Sequence, residues 1–504
     1  MFRWKKAVPN APKENSVLSD LLRFPGGAIP SGLYDLEIDS QTGHSWRWSK
    51  GPETIFSLGS SSQESAVKFT LASQIPDLKI SVRIDGKLIG EFQINSQLEK
   101  ITSVLRVPAS NSSRVLSFRY SAWNERGTDY PQDSRQMSVA FTAVRAGPPA
   151  YFETKICPHP FSQMDIPAYG PFVPCCYTWL TDEYYALEPR EYYANLQGKH
   201  DAWSGPGATA LRKAVLAGDY RYCRRDICQA KLYSLDEIEE MRERKEPLYP
   251  PISERNIAAM AEGVEFLAEG PAYASITGDP RCNLACPSCR KEKITKLTPY
   301  AEGLLKKTDE SLARFASTIE VMKMSADGEV FFSSYLRELL KSAGDKSRFP
   351  RLREVDLVTN GILFNQKTFD ELRPGTELIR RVAVSVDAGT KEVYAEVRGG
   401  DWDRLWENLR WVGEKRRKGE FKDFALRFVV RKANFRTMRE FVRLAEEVGA
   451  DCIDFSQFVQ WNGMAVEHYE QEAVHLPEHP HRTELTELKQ DLLKNAKIRL
   501  DMNF

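Results

Sequence analysis

The feature that most constrains this chain is the alternation of short apolar runs with amphipathic stretches beyond residue 270. Candidate strands at 273–277, 319–324, 354–358, 381–386, 425–430 and 452–458 are separated by helical patterns such as 304–316, 402–417 and 436–448. Strands spaced by helix-length connections cannot close as hairpins, so they return parallel, each crossing over through a helix. The pattern predicts an α/β fold, a parallel sheet or barrel, occupying 251–504 together with a C-terminal extension.

The first 150 residues read differently. Runs at 54–58, 67–72, 78–84, 88–94, 115–120 and 137–144 are separated by turn residues, and Asp85-Gly86 between two of them is a strong hairpin signal. This predicts a small N-terminal β-sandwich over 1–150. From 151 to 230 the chain is aromatic, proline-rich and carries five cysteines, with too little periodic apolar sequence for a core of its own. A metal cluster is expected to hold this stretch together, and the proline-containing run 247–251 to act as a linker, giving an Fe–S-binding module over 151–250.

The 504 residues include 70 Lys plus Arg and 70 Asp plus Glu. A formally neutral chain has no global electrostatic claim on nucleic acid or anionic membrane. The opening Met1-Phe2-Arg3-Trp4-Lys5-Lys6 lacks the apolar run of a signal peptide, and no run of 18 apolar residues follows, so a cytoplasmic protein is expected. Eight of the nine cysteines fall in two groups between Cys157 and Cys289, leaving Cys452 as a core thiol on a strand. Clustered thiols in a large chain of this kind favour metal over disulfides.

Cys282, Cys286 and Cys289 stand at C-x3-C-x2-C just after the 273–277 strand. Three thiolates on one loop can ligate three irons of a cubane cluster and leave the fourth open for chemistry. A closed zinc site would want a fourth ligand nearby, and neither histidine nor cysteine follows until far downstream. This spacing, with Asn283-Leu284 inside it, resembles the signature of the radical S-adenosylmethionine superfamily, from which Ser288 departs, since many members carry an aromatic residue there.

The resemblance implies a partial (β/α)6 TIM-like barrel over 251–504, a [4Fe-4S] cluster, S-adenosyl-L-methionine as cofactor, and an electron donor such as flavodoxin or ferredoxin. It implies cofactor contacts from Asp327, Gly328 and Glu329 after the second strand, from Asn360 after the third, from Ser385, Asp387 and Arg398 around the fourth, and from Asn434 after the fifth. Each has a plainer reading: Asp-Gly-Glu as an ordinary turn, Asp387 and Arg398 as a structural ion pair, Asn434 as a helix cap.

Cys157, Cys175, Cys223 and Cys228 form two separated pairs suited to a fully ligated second cluster, with Cys176 the alternative to Cys175 and a zinc ribbon the alternative site. The order Cys157, Gly170, Cys175 resembles the SPASM auxiliary-cluster module, here shortened and placed before the radical domain. His159 reads as structural.

By resemblance, the enzyme cleaves S-adenosylmethionine reductively to a 5′-deoxyadenosyl radical that abstracts a hydrogen atom, leading to oxidation or epimerisation. The expected substrate is small and polar, sugar-like or a cyclitol, since no leader-binding domain points to a peptide. Trp46, Arg47 and Trp48 could stack on sugar rings or pack as an ordinary strand. The competing readings are radical modification of a peptide or protein side chain and a non-catalytic zinc scaffold. His468, His475, His479 and His481 are read as a surface turn or pocket wall, because Pro477 and Pro480 deny them helical ligand spacing.

Overall fold

The computed structural model describes residues 19–21, 30–38, 45–97, 99–123, 137–167, 172–187, 203–228, 230–243, 250–267, 269–325, 327–460 and 464–504. The N-terminal hexapeptide, Gly170 and the first part of the proline-containing run lie outside these residues.

The N-terminal part is built of antiparallel strands. Strands β1 (Ser19–Asp20), β2 (Glu37–Ile38), β3 (Ser45–Trp48), β5 (Ser65–Ala72), β8 (Lys100–Val107) and β10 (Ala140–Gly147) make one sheet. Strands β4 (Glu53–Leu58), β6 (Leu78–Ile84), β7 (Lys87–Ile94) and β9 (Arg114–Tyr120) make the other. Their alternating side chains meet in one core, where Phe56, Phe69, Phe118 and Phe141 pack edge to face at 5.1–5.9 Å. Asp85 and Gly86 take φ of 48° and 80°, the pair of positive values a two-residue hairpin of this twist requires. On β3, Arg47 is buried and donates to the Tyr34 carbonyl, while Trp46 and Trp48 lie half-buried on the other face.

The remainder is organised around one parallel sheet in which strand order follows chain order: β11 (Gln163–Pro167), β12 (Tyr273–Thr277), β13 (Val321–Met324), β14 (Glu354–Thr359), β15 (Ile379–Ser385), β16 (Asp423–Val430), β17 (Cys452–Gln457) and β18 (Arg499–Asn503). The helices between successive strands are the crossovers that return the chain parallel. The sheet has eight strands where the sequence pattern suggested six. The two additions sit at the edges, and both were hidden by composition: Gln163–Pro167 lies in the cysteine-rich stretch and Arg499–Asn503 is half polar.

The stretch 151–230 also differs from expectation. Ile156, Phe161, Met164, Ile166, Val173, Leu180, Tyr184, Leu211 and Val215 are buried in the same core as the parallel sheet. Their spacing is irregular because they fill gaps against a neighbouring layer rather than line one helix face. Arg212, fully buried, lies 4.3 Å from the Trp203 ring and donates to the Pro160 carbonyl at 2.8 Å. The sandwich is fixed to this region by Asp236, 0% exposed on the helix Leu235–Glu243, which receives Lys68 from β5 and, at 3.1 Å, Arg145 from β10.

Side-chain alternation divides the parallel sheet by chemistry. Met164, Ile276, Met322, Leu357, Val382, Leu426 and Phe455 enter the helix-covered core. On the other face, Asp165, Ser275, Lys323, Asp356 and Arg381 form one row in register across five strands, and Ser385, Arg427 and Asp454 a second. No described helix is long and apolar enough to cross a membrane.

Candidate active site

The loop that leaves β12 carries Cys282, Cys286 and Cys289, and its path is fixed before the first of them. Asp279, fully buried, accepts from the Arg281 amide at 2.9 Å, from the Arg281 guanidinium at 3.0 and 3.1 Å, and from the Ser333 hydroxyl. Gly328, after β13, lies so close that a Cβ there would overlap the carbonyl oxygens of Asp279 and Arg281. The glycine is therefore needed for the approach of the two loops. The Glu329 amide then donates to the Arg281 carbonyl at 2.8 Å.

Beyond that clamp the three thiols are spread over a turn in which the Cys289 amide donates to the Cys286 carbonyl at 2.8 Å. Cys282 and Cys286 are buried and Cys289 is exposed. Each thiol is faced by a side-chain nitrogen donor, from distant elements for Cys282 and Cys286 and from the adjacent residue for Cys289. Asn360 Nδ2 stands 3.8 Å from Cys282 Sγ, Arg398 Nη1 3.5 Å from Cys286 Sγ, and Arg290 Nη2 3.4 Å from Cys289 Sγ. Burial pushes the Cys282 thiol up, only partly offset by the Leu284 amide.

The strand ends around this loop are knitted together by the polar residues that follow them. Glu329, 1% exposed, accepts from Thr359 Oγ1 at 2.6 Å and from the Asn360 amide at 2.7 Å; burial raises its pKa against those bonds. Asn360 also donates to Asn283 Oδ1 at 2.9 Å. Asp387 adopts φ of 61° and accepts from the Val429 amide at 2.8 Å, while its other oxygen is 2.9 Å from Arg398 Nε. Burial works against the charge of Arg398, but the Asp387 carboxylate and the Cys286 thiol outweigh it and hold the guanidinium protonated. Asn434 makes no cap hydrogen bond. Its amide donates to the carbonyls of Asp387 and Val429, both at 2.9 Å.

The side chains of Glu329, Asn360, Asp387 and Asn434 are thus committed to joining successive strand ends. Ser385, half-buried at the end of β15, has a hydroxyl with no partner among the described residues. Asp327 presents its carbonyl to Arg290. Asp279, Arg290 and Ser333 were not singled out by the sequence, since an aspartate, an arginine or a hydroxyl carries no mark of the partner that folding brings to it.

Residues 278–445 match the Radical SAM superfamily. They are a radical SAM domain. The match begins one residue before Asp279 and ends within the helix Met438–Val448, so it takes in the cysteine loop and every strand end described above. No curated protein matches the sequence. Among solved structures, Streptococcus suis SuiB bound to S-adenosylmethionine is similar at 15% identity over 53% of this chain and 61% of that one, with a TM-score of 0.33. TYW1 with a lysine-pyruvate adduct bound is similar at 20% identity over 45% of this chain and 72% of that one, with a TM-score of 0.27. The C-terminal CBM6 of LamC from Zobellia galactanivorans is similar at 11% identity over 26% of this chain and 99% of that one, with a TM-score of 0.18. The chain thus spans less than two thirds of the SuiB structure's length. The superfamily is one of enzymes and implies a 4Fe-4S cluster and S-adenosylmethionine for the radical SAM domain.

Against this domain the second cysteine group is gathered at the β11 edge. The Cys175 thiol, raised well above its usual range by burial, is raised further by Cys157, Cys176, Cys223 and Cys228, so all five lie within electrostatic reach. Burial pushes Cys157 up to about 12 and Cys223 to about 11, with Cys228 adding to both. Cys176 faces elsewhere, toward Thr178 Oγ1 at 3.1 Å, Asp165 and Lys323. Thiols that are buried together and raise one another's pKa are disfavoured as bare thiolates, and a bound cation would supply the missing positive charge. Among the described residues, no three His, Cys, Asp or Glu side chains are arranged to hold a single metal ion.

His159 Nδ1 is 3.5 Å from Cys157 Sγ and packs edge-on against Trp179, and burial lowers its pKa to about 4, leaving it neutral. The C-terminal histidines serve local turns: His479 Nδ1 accepts from the His481 amide at 3.1 Å, and His475 Nε2 is 3.5 Å from the Tyr469 hydroxyl. Cys452 is buried on β17, its pKa pushed up to about 11.

Proposed function

We propose that this chain is a radical S-adenosylmethionine enzyme with two iron–sulfur clusters acting on a small polar substrate. Cys282, Cys286 and Cys289 hold the reactive cluster. Cys157, Cys175, Cys223 and Cys228 hold the auxiliary one, Cys175 being preferred over Cys176 because it faces the other three thiols. When bound, the reactive cluster and its cofactor supply reductive cleavage to methionine and a 5′-deoxyadenosyl radical that abstracts a hydrogen atom.

The observation that carries this reading is that each thiol of the loop meets a side-chain nitrogen donor, Asn360, Arg398 or Arg290. Such donors stabilise sulfur that carries negative charge and orient it. Ser385, with its free hydroxyl at the end of β15, is the side chain best suited to meet the cofactor directly, while Gly328 and Asp327 present backbone. Asp387 holds Arg398, Glu329 holds Asn360, and Asn434 holds the β15 and β16 ends in register; these are positioning residues.

The substrate reading rests on the polar face of the sheet. Lys323, Asp356, Arg381, Arg427 and Asp454 line it, a surface that suits a hydroxyl-rich or charged molecule and penalises an apolar one. A sugar-like or cyclitol substrate undergoing oxidation or epimerisation fits that lining; a peptide side chain is the competing substrate.

Anaerobic reconstitution followed by iron and sulfide analysis tests the clusters, and dithionite with S-adenosylmethionine tests the cleavage through 5′-deoxyadenosine detected by mass spectrometry. Stoichiometric zinc without iron, or iron-replete protein that forms no 5′-deoxyadenosine, overturns the reading. Deuterium transfer from labelled sugars, cyclitols or peptides into 5′-deoxyadenosine separates the substrate classes.

A further inference from the structure

Lys323, Arg381 and Arg427 project from the polar face of the parallel sheet, and they are not equally committed. Arg381 on β15 donates to the Asp356 carboxylate at 3.2 and 3.4 Å. Lys323 on β13, partly buried, makes no hydrogen bond and no ion pair with a described residue. The Arg427 guanidinium on β16 donates no hydrogen bond to one either; its Nε lies 3.6 Å from Asp454, whose other oxygen already accepts from Ser456 and Asn503. β13 and β16 are three strands apart, roughly 14 Å at the usual ~4.8 Å spacing. Arg427 is nevertheless the largest charge acting on Lys323, so the two side chains lean over the same space. Burial and then Arg427 lower the pKa of Lys323; Asp165, Cys176 and Asp356 act in the opposite sense and do not restore it. Lys323 acts in turn on Cys176 and His159, beside the second cysteine group, and Arg427 is the register partner of Ser385. The two cations therefore span the space between that group and the residue assigned to the cofactor.

We propose that Lys323 and Arg427 together receive an oxyanion of the substrate, which makes that substrate a sugar acid or a sugar phosphate rather than a neutral sugar. The inference deepens the substrate reading given above and rests on it. An ammonium offers three N–H donors and a guanidinium a fork that matches two oxygens of a carboxylate or phosphate. Here none of those donors is spent on a described residue. Folding has brought two like charges together at a cost in repulsion and desolvation, and an anion between them offsets both. A cationic substrate would be repelled, and a neutral one would leave the repulsion in place. Arg381 supplies the contrast, since Asp356 already answers its charge. An anion held by the pair tethers the rest of the substrate between the two cysteine groups, where hydrogen abstraction and electron removal both need it.

The test titrates the full-length, anaerobically reconstituted chain with inorganic phosphate, D-glucose 6-phosphate, D-glucuronate and D-glucose by calorimetry. Wild type is compared with Lys323→Gln, Arg427→Gln and Arg427→Lys. At least one of the three anions should bind wild type, and D-glucose should bind ~10-fold more weakly or not at all. Lys323→Gln and Arg427→Gln should each weaken the anion by ~10-fold or more, with Arg427→Lys intermediate. Preference for glucuronate or for glucose 6-phosphate tells a carboxylate from a phosphate. Without added anion, Lys323→Gln should melt no lower than wild type, because a side chain without a partner leaves none behind. No anion binding to wild type, equal binding in the variants, or glucose bound as tightly as the anions overturns the receptor. A lower melting temperature of Lys323→Gln assigns the lysine to the fold and overturns it as well. Affinity for S-adenosylmethionine should be alike in all four proteins; a loss parallel to that of the anions would give the pair to the cofactor's carboxylate and overturn the substrate assignment. Wild type that forms no 5′-deoxyadenosine with dithionite overturns the radical reading alone, since the anion titrations need no turnover.

Discussion

Arg398 stands between Asp387 and Cys286, its Nε 2.9 Å from the carboxylate and its Nη1 3.5 Å from the sulfur. It lies 112 residues from that cysteine, at the C-terminus of the helix Lys391–Val397. Taking Asp387 and Arg398 as a structural ion pair and taking Arg398 as part of the site turn out to describe one arrangement. The pair aims the guanidinium at the thiol.

Removing that guanidinium should therefore act twice. Arg398→Met leaves the Asp387 carboxylate buried and unpaired, a change of about 3–5 kcal/mol in folding stability. The double variant R398M/D387N should recover much of the stability but not the cluster's properties. Chemical denaturation reads the first effect, and the potential of the radical cluster, followed by electron paramagnetic resonance, reads the second.

The two cysteine groups should separate by iron content. Alanine at Cys282, Cys286 or Cys289 should remove roughly half of the iron and all 5′-deoxyadenosine formation. Cys175→Ala should remove the other half and leave cofactor cleavage measurable, whereas Cys176→Ala should retain both clusters. Iron retained in full by Cys175→Ala together with a loss in Cys176→Ala would reverse the choice of ligand.

Gly328→Ala places a methyl group against the carbonyls of Asp279 and Arg281. Neither backbone can yield without moving the cysteine loop, so destabilisation of about 1–3 kcal/mol is expected, with weakened cluster retention during anaerobic gel filtration. Gly51, which meets nothing within 4 Å but has φ of 78°, should show only the backbone strain of alanine there and full cluster retention.

Thiol chemistry of the metal-free chain should follow burial. The Cys157 pKa is raised by burial from 9.0 to about 12, so the folded state binds a proton that the unfolded state releases in between. Its contribution is intact below pH 9 and is lost as pH rises toward 12. Alkylation at pH 8 followed by peptide mass mapping should label exposed Cys289 first and Cys157 and Cys175 last. Equal labelling would contradict the buried setting.

The amino-acid sequence by itself determined those features that local periodicity and spacing encode. Strand Tyr273–Thr277 and helix Trp402–Arg417 fall where their apolar patterns end, the Asp85-Gly86 turn where two positive φ values are needed, and the C-x3-C-x2-C loop where the radical SAM domain begins. Each of those signals is complete within a few residues. Only the tertiary structure decided that Gln163–Pro167 belongs to the parallel sheet, that Gly328 is filled by the backbone of the cysteine loop, and that Asn360, Arg398 and Arg290 each take one thiol. An irregular strand is stabilised by the neighbour it pairs with, and a hydrogen-bond donor by an acceptor that folding brings near. For Gln163–Pro167, Asn360 and Arg398 that partner lies far away along the chain.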